Sequence, residues 1–166
     1  VRTLEGALQP FGQARVRSWG DVVSVELSQH GKTVFSFQIA RRSAGLQPPE
    51  SGPWPGGIHV DSFADLVASK MVALVERGAP RDFRDIYMLC QSGHFDVEGC
   101  WDLWTKRQQL ADEDSDRKRG MVAIRTHLAR LEQARPLEQI DDAGQRTAAE
   151  QFRTWFITEF LKDVED

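Results

Sequence analysis

"ASKMVALVERGAPRDFRDIYMLC", residues 68–90, decides how the chain is read. Apolar residues recur at helical spacing up to Arg77, Gly78 and Pro80 interrupt the pattern, and a second apolar-rich run follows from Arg81 to Cys90. The spacing predicts two helices, with Gly78 as the left-handed residue after the first and Pro80 in the first turn of the second. Just upstream, Ser62 and Asp65 in "DSFAD" have the spacing of an N-cap and its partner. The first helix is therefore expected over about Phe63 to Arg77, and Gly93 marks the end of the second.

At about 100° per residue the apolar stripe of the first helix is Phe63, Leu66, Val67, Met71 and Leu74. Lys70 and Arg77 fall inside that arc, two turns apart. Burying such cations costs on the order of several kcal/mol each unless they are paired or face an anion. In the second helix Phe83, Ile86, Tyr87, Met88, Leu89 and Cys90 cover nearly every side, the pattern of a central, buried helix. Its charges, Arg81, Asp82, Arg84 and Asp85, sit in the first two turns, so a charged cluster is expected at a buried junction. Two readings follow. In one, Asp82 and Asp85 complement the helix dipole and pair with Arg77 or Arg81, while Lys70 runs its stem out to water. In the other, the cations and carboxylates hold a polyanionic ligand, for which a triphosphate is the natural candidate.

Before these helices, "DVVSVELSQHG" and "KTVFSFQIARR" alternate with period two around the turn-like "SQHGK" and read as a β-hairpin. Val34, Ser36 and Gln38 fall on one face and Phe35, Phe37 and Ile39 on the other, as in a sheet with one buried side. "RRSAGLQPPESGPWPGG" is too rich in Pro and Gly for regular structure and reads as a long loop, with "IHV" a short strand after it. Downstream, Val97, Trp101 and Trp104, then Met121, Ile124, Leu128 and Leu131, then Ala148, Phe152, Trp155 and Phe156 recur at helical spacing. They predict a small helical bundle joined by the polar linkers "ADEDSDRKRG" and "IDDAGQ". The expected fold class is α+β: a β-rich part over residues 1–60 that includes the long loop, and a helical part over 61–166.

The 166 residues are 40% apolar and 28% charged, with a formal net charge of −4, which suits a globular domain without a uniformly basic surface. Cys90 and Cys100 lack zinc or CxxC spacing and read as reduced core thiols. Four scattered histidines offer no metal-ligand pattern. No signal peptide or run of about 20 apolar residues is present, so a cytoplasmic protein without a membrane anchor is expected. Trp101 and Trp104 suit a core better than a base-stacking platform, and "DRKRG" and "RRSAG" are basic turns that can touch RNA. The chain opens on Val1, and coding sequence upstream is expected.

"DLVASKMVALVERGAPRDFRDIYML", residues 65–89, resembles the second-half signature of the AbiEii-type nucleotidyltransferases, the toxin side of AbiE-like toxin–antitoxin systems. The likeness is dense over Lys70, Ala73, Leu74, Arg77, Arg81, Asp82, Asp85, Ile86 and Tyr87, and covers about residues 20–92. It implies a polymerase β-like nucleotidyltransferase fold, of which this chain holds part of the sheet, acting on a nucleoside triphosphate with Mg²⁺. Lys70 is then a triphosphate contact, Arg77 and Arg81 support the nucleotide, and Asp82 or Asp85 orients those cations or assists the acceptor. The resemblance also implies an RNA acceptor such as tRNA, or a protein acceptor, and an antitoxin partner.

The family's metal carboxylates lie in a Gly-Ser followed by D-x-D, and this sequence contains no Gly-Ser dipeptide. Asp112, Asp114 and Asp116 lie in a late linker and fail the calcium-loop pattern, with Arg117 where Gly is needed and Ala123 where Glu is needed. Glu26 in "VEL" is a candidate for a lone strand carboxylate or an ordinary half-buried strand residue. Metal ligands are therefore expected outside these residues. The competing function is a truncated, non-catalytic helical module that binds a partner.

Overall fold

The computed structural model describes residues 2–40, 45–52 and 57–162. The chain forms two compact units, Val1–Ser43 and Ala44–Asp166. The "RRSAG" turn falls largely outside the described residues.

In the first unit, helix α1 (Arg2–Leu8) precedes strands β1 (Gln13–Trp19), β2 (Val22–Gln29) and β3 (Lys32–Ala40), an antiparallel sheet in the order β1-β2-β3. The hairpin anticipated from sequence is β2–β3, closed by His30 and Gly31, both with positive φ, as a two-residue turn of the required twist demands. Strand β1 was not anticipated: "QARVRSW" carries three polar or charged residues on its exposed face and lacks a strong apolar alternation.

The predicted alternation on β3 holds, but its burial does not. Every residue of β3 is exposed, Phe35 and Phe37 each at 47%. β3 is an edge strand, and α1 lies against β1 and β2. Burial falls instead on central β2, at Ser24, Val25 and Leu27. Glu26 accepts an ion-pair contact of 3.2 Å from Arg17 across the β1–β2 pair.

Early in the second unit β4 (Glu50–Ser51), inside the Pro/Gly stretch, pairs antiparallel with β5 (His59–Val60), the short strand expected in "IHV". No regular structure was expected within the stretch 41–57, where β4 lies. Two ladder positions suffice here, and Pro48 and Pro49 lie outside them, where no N–H is required. Helices α2 (Phe63–Glu76), α3 (Pro80–Gln91), α4 (Val97–Leu110), α5 (Arg117–Ala134) and α6 (Ala143–Trp155) follow, and α6 ends in a π-helical turn, Phe156–Phe160. Polar linkers supply the caps: Asp96, Asp116 and Asp142 each accept backbone N–H bonds from the first turn of α4, α5 and α6.

α2 packs against α3, α4 and α5. The core joins Val67, Met71 and Leu74 to Phe83 and Ile86, Trp101 and Trp104, Ile124 and Leu128, and Phe156 and Phe160. Both tryptophans are core residues, as the spacing predicted. Gly120 lets α5 reach them, since a Cβ there would lie 3.1 Å from the Trp101 ring.

Candidate functional site at the α2–α3 hairpin

Helices α2 and α3 run back on one another across Gly78 and Ala79. Arg77 caps α2, Gly78 has φ 51°, and Pro80 opens α3, as the sequence spacing predicted. A Cβ at Gly78 would lie 2.3 Å from the Cβ of His127 on α5, so the left-handed turn and the tight approach both require glycine. His127 in turn donates to the Val75 carbonyl at 3.0 Å.

Lys70 and Arg77 are not buried in the apolar stripe. That stripe is Val67, Ala68, Met71 and Leu74, rotated away from Phe63 and Leu66, which are exposed. The two cations stand at its edge and form rungs between the antiparallel helices. Nearest the turn, Arg77 donates from Nε and from a terminal nitrogen to the two oxygens of Asp82, at 2.8 and 2.9 Å. One rung further, Lys70 Nζ lies 2.6 Å from Asp85 Oδ2. Asp85 therefore pairs with Lys70, not with Arg77 or Arg81 as the sequence suggested. The doubling back of the two helices brings residues on either side of the turn together, and Lys70 and Asp85 meet across that packing.

The rungs differ in kind. Asp82 is 0% exposed and, at the third position of α3, also accepts the Ala79 N–H at 3.2 Å. It forms half of a capping box, because Ala79 has no side-chain acceptor to complete it. The hydrogen bonds from Arg77 hold the Asp82 carboxyl below the usual range against the opposing effect of burial, and Asp82 correspondingly raises Arg77. Arg81 is mostly exposed, its Nε 4.0 Å from Asp82. The Lys70–Asp85 rung is by contrast open, its side chains 43% and 39% exposed.

Beyond that rung, away from the turn, lies an open groove of about 480 Å³ lined by Phe63, Leu66, Val67, Lys70, Asp85, Met88, Leu89 and Ser92. Helix α3 is thus not central: Phe83 and Ile86 are buried, but Met88 is exposed along the groove. Tyr87 faces the opposite way, edge-on to Trp155 at 5.2 Å.

A buried pair that sequence reasoning missed anchors this hairpin. Asp65, read only as a capping residue, accepts from the Leu46 N–H at 2.7 Å, the Gln47 N–H at 3.0 Å, the Ser62 hydroxyl at 2.8 Å and Arg107 of α4 at 2.9 Å. Burial alone would raise its carboxyl; these donors outweigh burial and leave it below the usual range. An acid three residues after Ser62 was the only sequence signal, and its distant donors gave none.

Magnesium is held by one or two carboxylates free to face it, with waters and substrate phosphates completing the shell. Among the described residues no three His, Cys, Asp or Glu side chains converge on a metal position. Asp82 and Asp85 are engaged by Arg77 and Lys70. Asp114 and Asp116 accept from Arg119 and from backbone N–H groups at the start of α5. The described residues do not fit a magnesium site. No helix among them is long and apolar enough to cross a membrane.

No curated protein and no solved structure shows significant similarity to the chain. The family model for the nucleotidyl transferase AbiEii toxin of type IV toxin–antitoxin systems matches residues 20–159, taking in β2, β3, the hairpin and its rungs, and almost all of the helical unit. On that match, over most of its length, the chain belongs to the AbiEii nucleotidyl transferase toxin family.

Proposed function

We propose that the protein transfers a nucleotide from a nucleoside triphosphate to an RNA such as tRNA, as the toxin of a toxin–antitoxin pair. One observation carries this reading: the open Lys70–Asp85 rung at the rim of the α2–α3 groove, inside the family's signature stretch. Pairing holds Lys70 in one orientation, and its ammonium keeps donors for phosphate oxygens. Arg81, exposed beside the turn, is the second phosphate contact. Arg77 and Asp82 fix the turn that presents them.

The acceptor hydroxyl oxygen attacks the α-phosphorus, the bond from that phosphorus to its bridging oxygen breaks, and pyrophosphate leaves. Lys70 neutralises charge on the leaving oxygens. Asp85, paired to Lys70 through Oδ2, takes the hydroxyl proton on its other carboxylate oxygen. No step here is assigned to magnesium, whose ligands these residues do not supply.

The test incubates the protein expressed from its natural locus with α-labelled triphosphates and bulk tRNA, and resolves labelled RNA from labelled protein. Wild type should label RNA, and Lys70→Ala should reduce transfer by about 100-fold or more, with folding stability changed by less than about 1 kcal/mol because the pair is exposed. Undiminished transfer by Lys70→Ala would remove the site, and label on protein alone would replace the acceptor. The exposed Phe63, Leu66 and Met88 along the groove favour a second reading, a non-catalytic module that binds a protein partner. A folded wild type that transfers no label from any triphosphate is the result that reading expects.

A further inference from the structure

Cys90 and Cys100, ten residues apart in sequence, are brought together by the α3–α4 turn with their sulfurs 3.9 Å apart. Both are free thiols. They differ in access: Cys100, on α4, is fully buried in the core beside Trp101, whereas Cys90, near the end of α3, is half-buried. From this geometry we infer that Cys90 and Cys100 form a reversible oxidation site, at which a hydroperoxide converts the two thiols to an intramolecular disulfide.

The chemistry assigns the order of events. Cys90 is the more exposed residue of the two, and the hydrogen bond with Cys100 makes its thiol more acidic than usual, against the effect of burial. Cys100 is pushed the other way, by its bond to Cys90 and by burial, so it stays protonated. The Cys90 thiolate attacks a peroxide oxygen, the O–O bond breaks, and the corresponding alcohol (water, for hydrogen peroxide) leaves, with Cys90 as the sulfenic acid. Cys100 then attacks the Cys90 sulfur, its proton goes to the departing hydroxide, and water leaves as the S–S bond forms. Two thiols lose two electrons in total and one peroxide gains them.

Bond formation needs the sulfurs, now 3.9 Å apart, to close by about 2 Å. The cross-link would tie the end of α3, which carries the groove residues Met88 and Leu89, to α4. Neither the phosphate contacts nor the nucleotidyl transfer reading enters this inference.

The test treats the reduced, folded full chain with hydrogen peroxide, blocks remaining thiols with N-ethylmaleimide under denaturing conditions, and measures intact and peptide masses. The expected result is a monomer lighter by about 2 Da, with no maleimide, a linked Cys90–Cys100 peptide, and recovery of two maleimide sites after dithiothreitol. Cys100→Ala should instead accumulate a dimedone-reactive sulfenic acid at Cys90. Wild type that retains both maleimide sites, oxidises Cys90 beyond the sulfenic stage without linkage, or yields only intermolecular dimers overturns the inference without recourse to the variant.

Discussion

Removing the Asp82 carboxylate should cost the helical unit about 1.5–3 kcal/mol. Asp82→Ala deletes two charge-assisted hydrogen bonds from Arg77 and one from the Ala79 N–H. Bonds to charged groups contribute roughly 1.5–3 kcal/mol, but Arg77 is half in water and recovers hydration, so about 1–2 kcal/mol is the appropriate share for that pair. Loss of the half capping box adds roughly 0.5–1 kcal/mol. For a unit of this size the total corresponds to a Tm lower by on the order of 10 °C.

Urea unfolding followed by tryptophan fluorescence reads the change directly, since Trp101 and Trp104 lie in the core. Arg77→Ala should cost at least as much, because it leaves a fully buried carboxylate without its main donor. The double variant should then lose less than the sum of the two, with a coupling of about 1 kcal/mol or more. Additive effects, or a change under about 0.5 kcal/mol in either single variant, would refute the clamp. The pH dependence has a defined sign. The folded-state pKa of Asp82 is depressed, so its contribution is complete above the unfolded value of about 4 and disappears as the pH falls from there through the folded value. Asp82→Ala should therefore flatten the acid limb of the stability profile.

Asp65→Ala should be more damaging, about 3–5 kcal/mol, since it breaks a buried ion pair and strips two backbone N–H groups of their acceptor; protease cleavage after Leu46 should accelerate, and an unchanged urea midpoint would contradict the assigned anchoring. Asp65 is depressed in the same direction, so its contribution also vanishes on acidification below about pH 4. Gly78→Ala should cost at least about 2 kcal/mol, combining a left-handed alanine with a collision against the fixed Cβ of His127; a loss of only a few tenths would mean that α5 yields.

The sequence by itself determined the α+β class, the β2–β3 hairpin, the boundaries of α2 and α3, and the tryptophan core. These follow from nearest-neighbour physics: period, caps and turn residues act within a few positions, and Ser62, Gly78, Pro80 and Gly93 announce themselves. It also carried the family, because the Lys70 to Tyr87 pattern is local. Only the tertiary structure decided which partner each charge takes. Lys70 meets Asp85 because two helices double back, Asp65 meets Arg107 and the Leu46 and Gln47 amides across distant segments, and Cys90 meets Cys100 across a turn. It also decided that Phe35 and Phe37 lie exposed on an edge strand, since alternation specifies two faces but not which one is covered. Contacts between residues far apart in sequence depend on how helices and strands pack, and packing is a property of the whole chain.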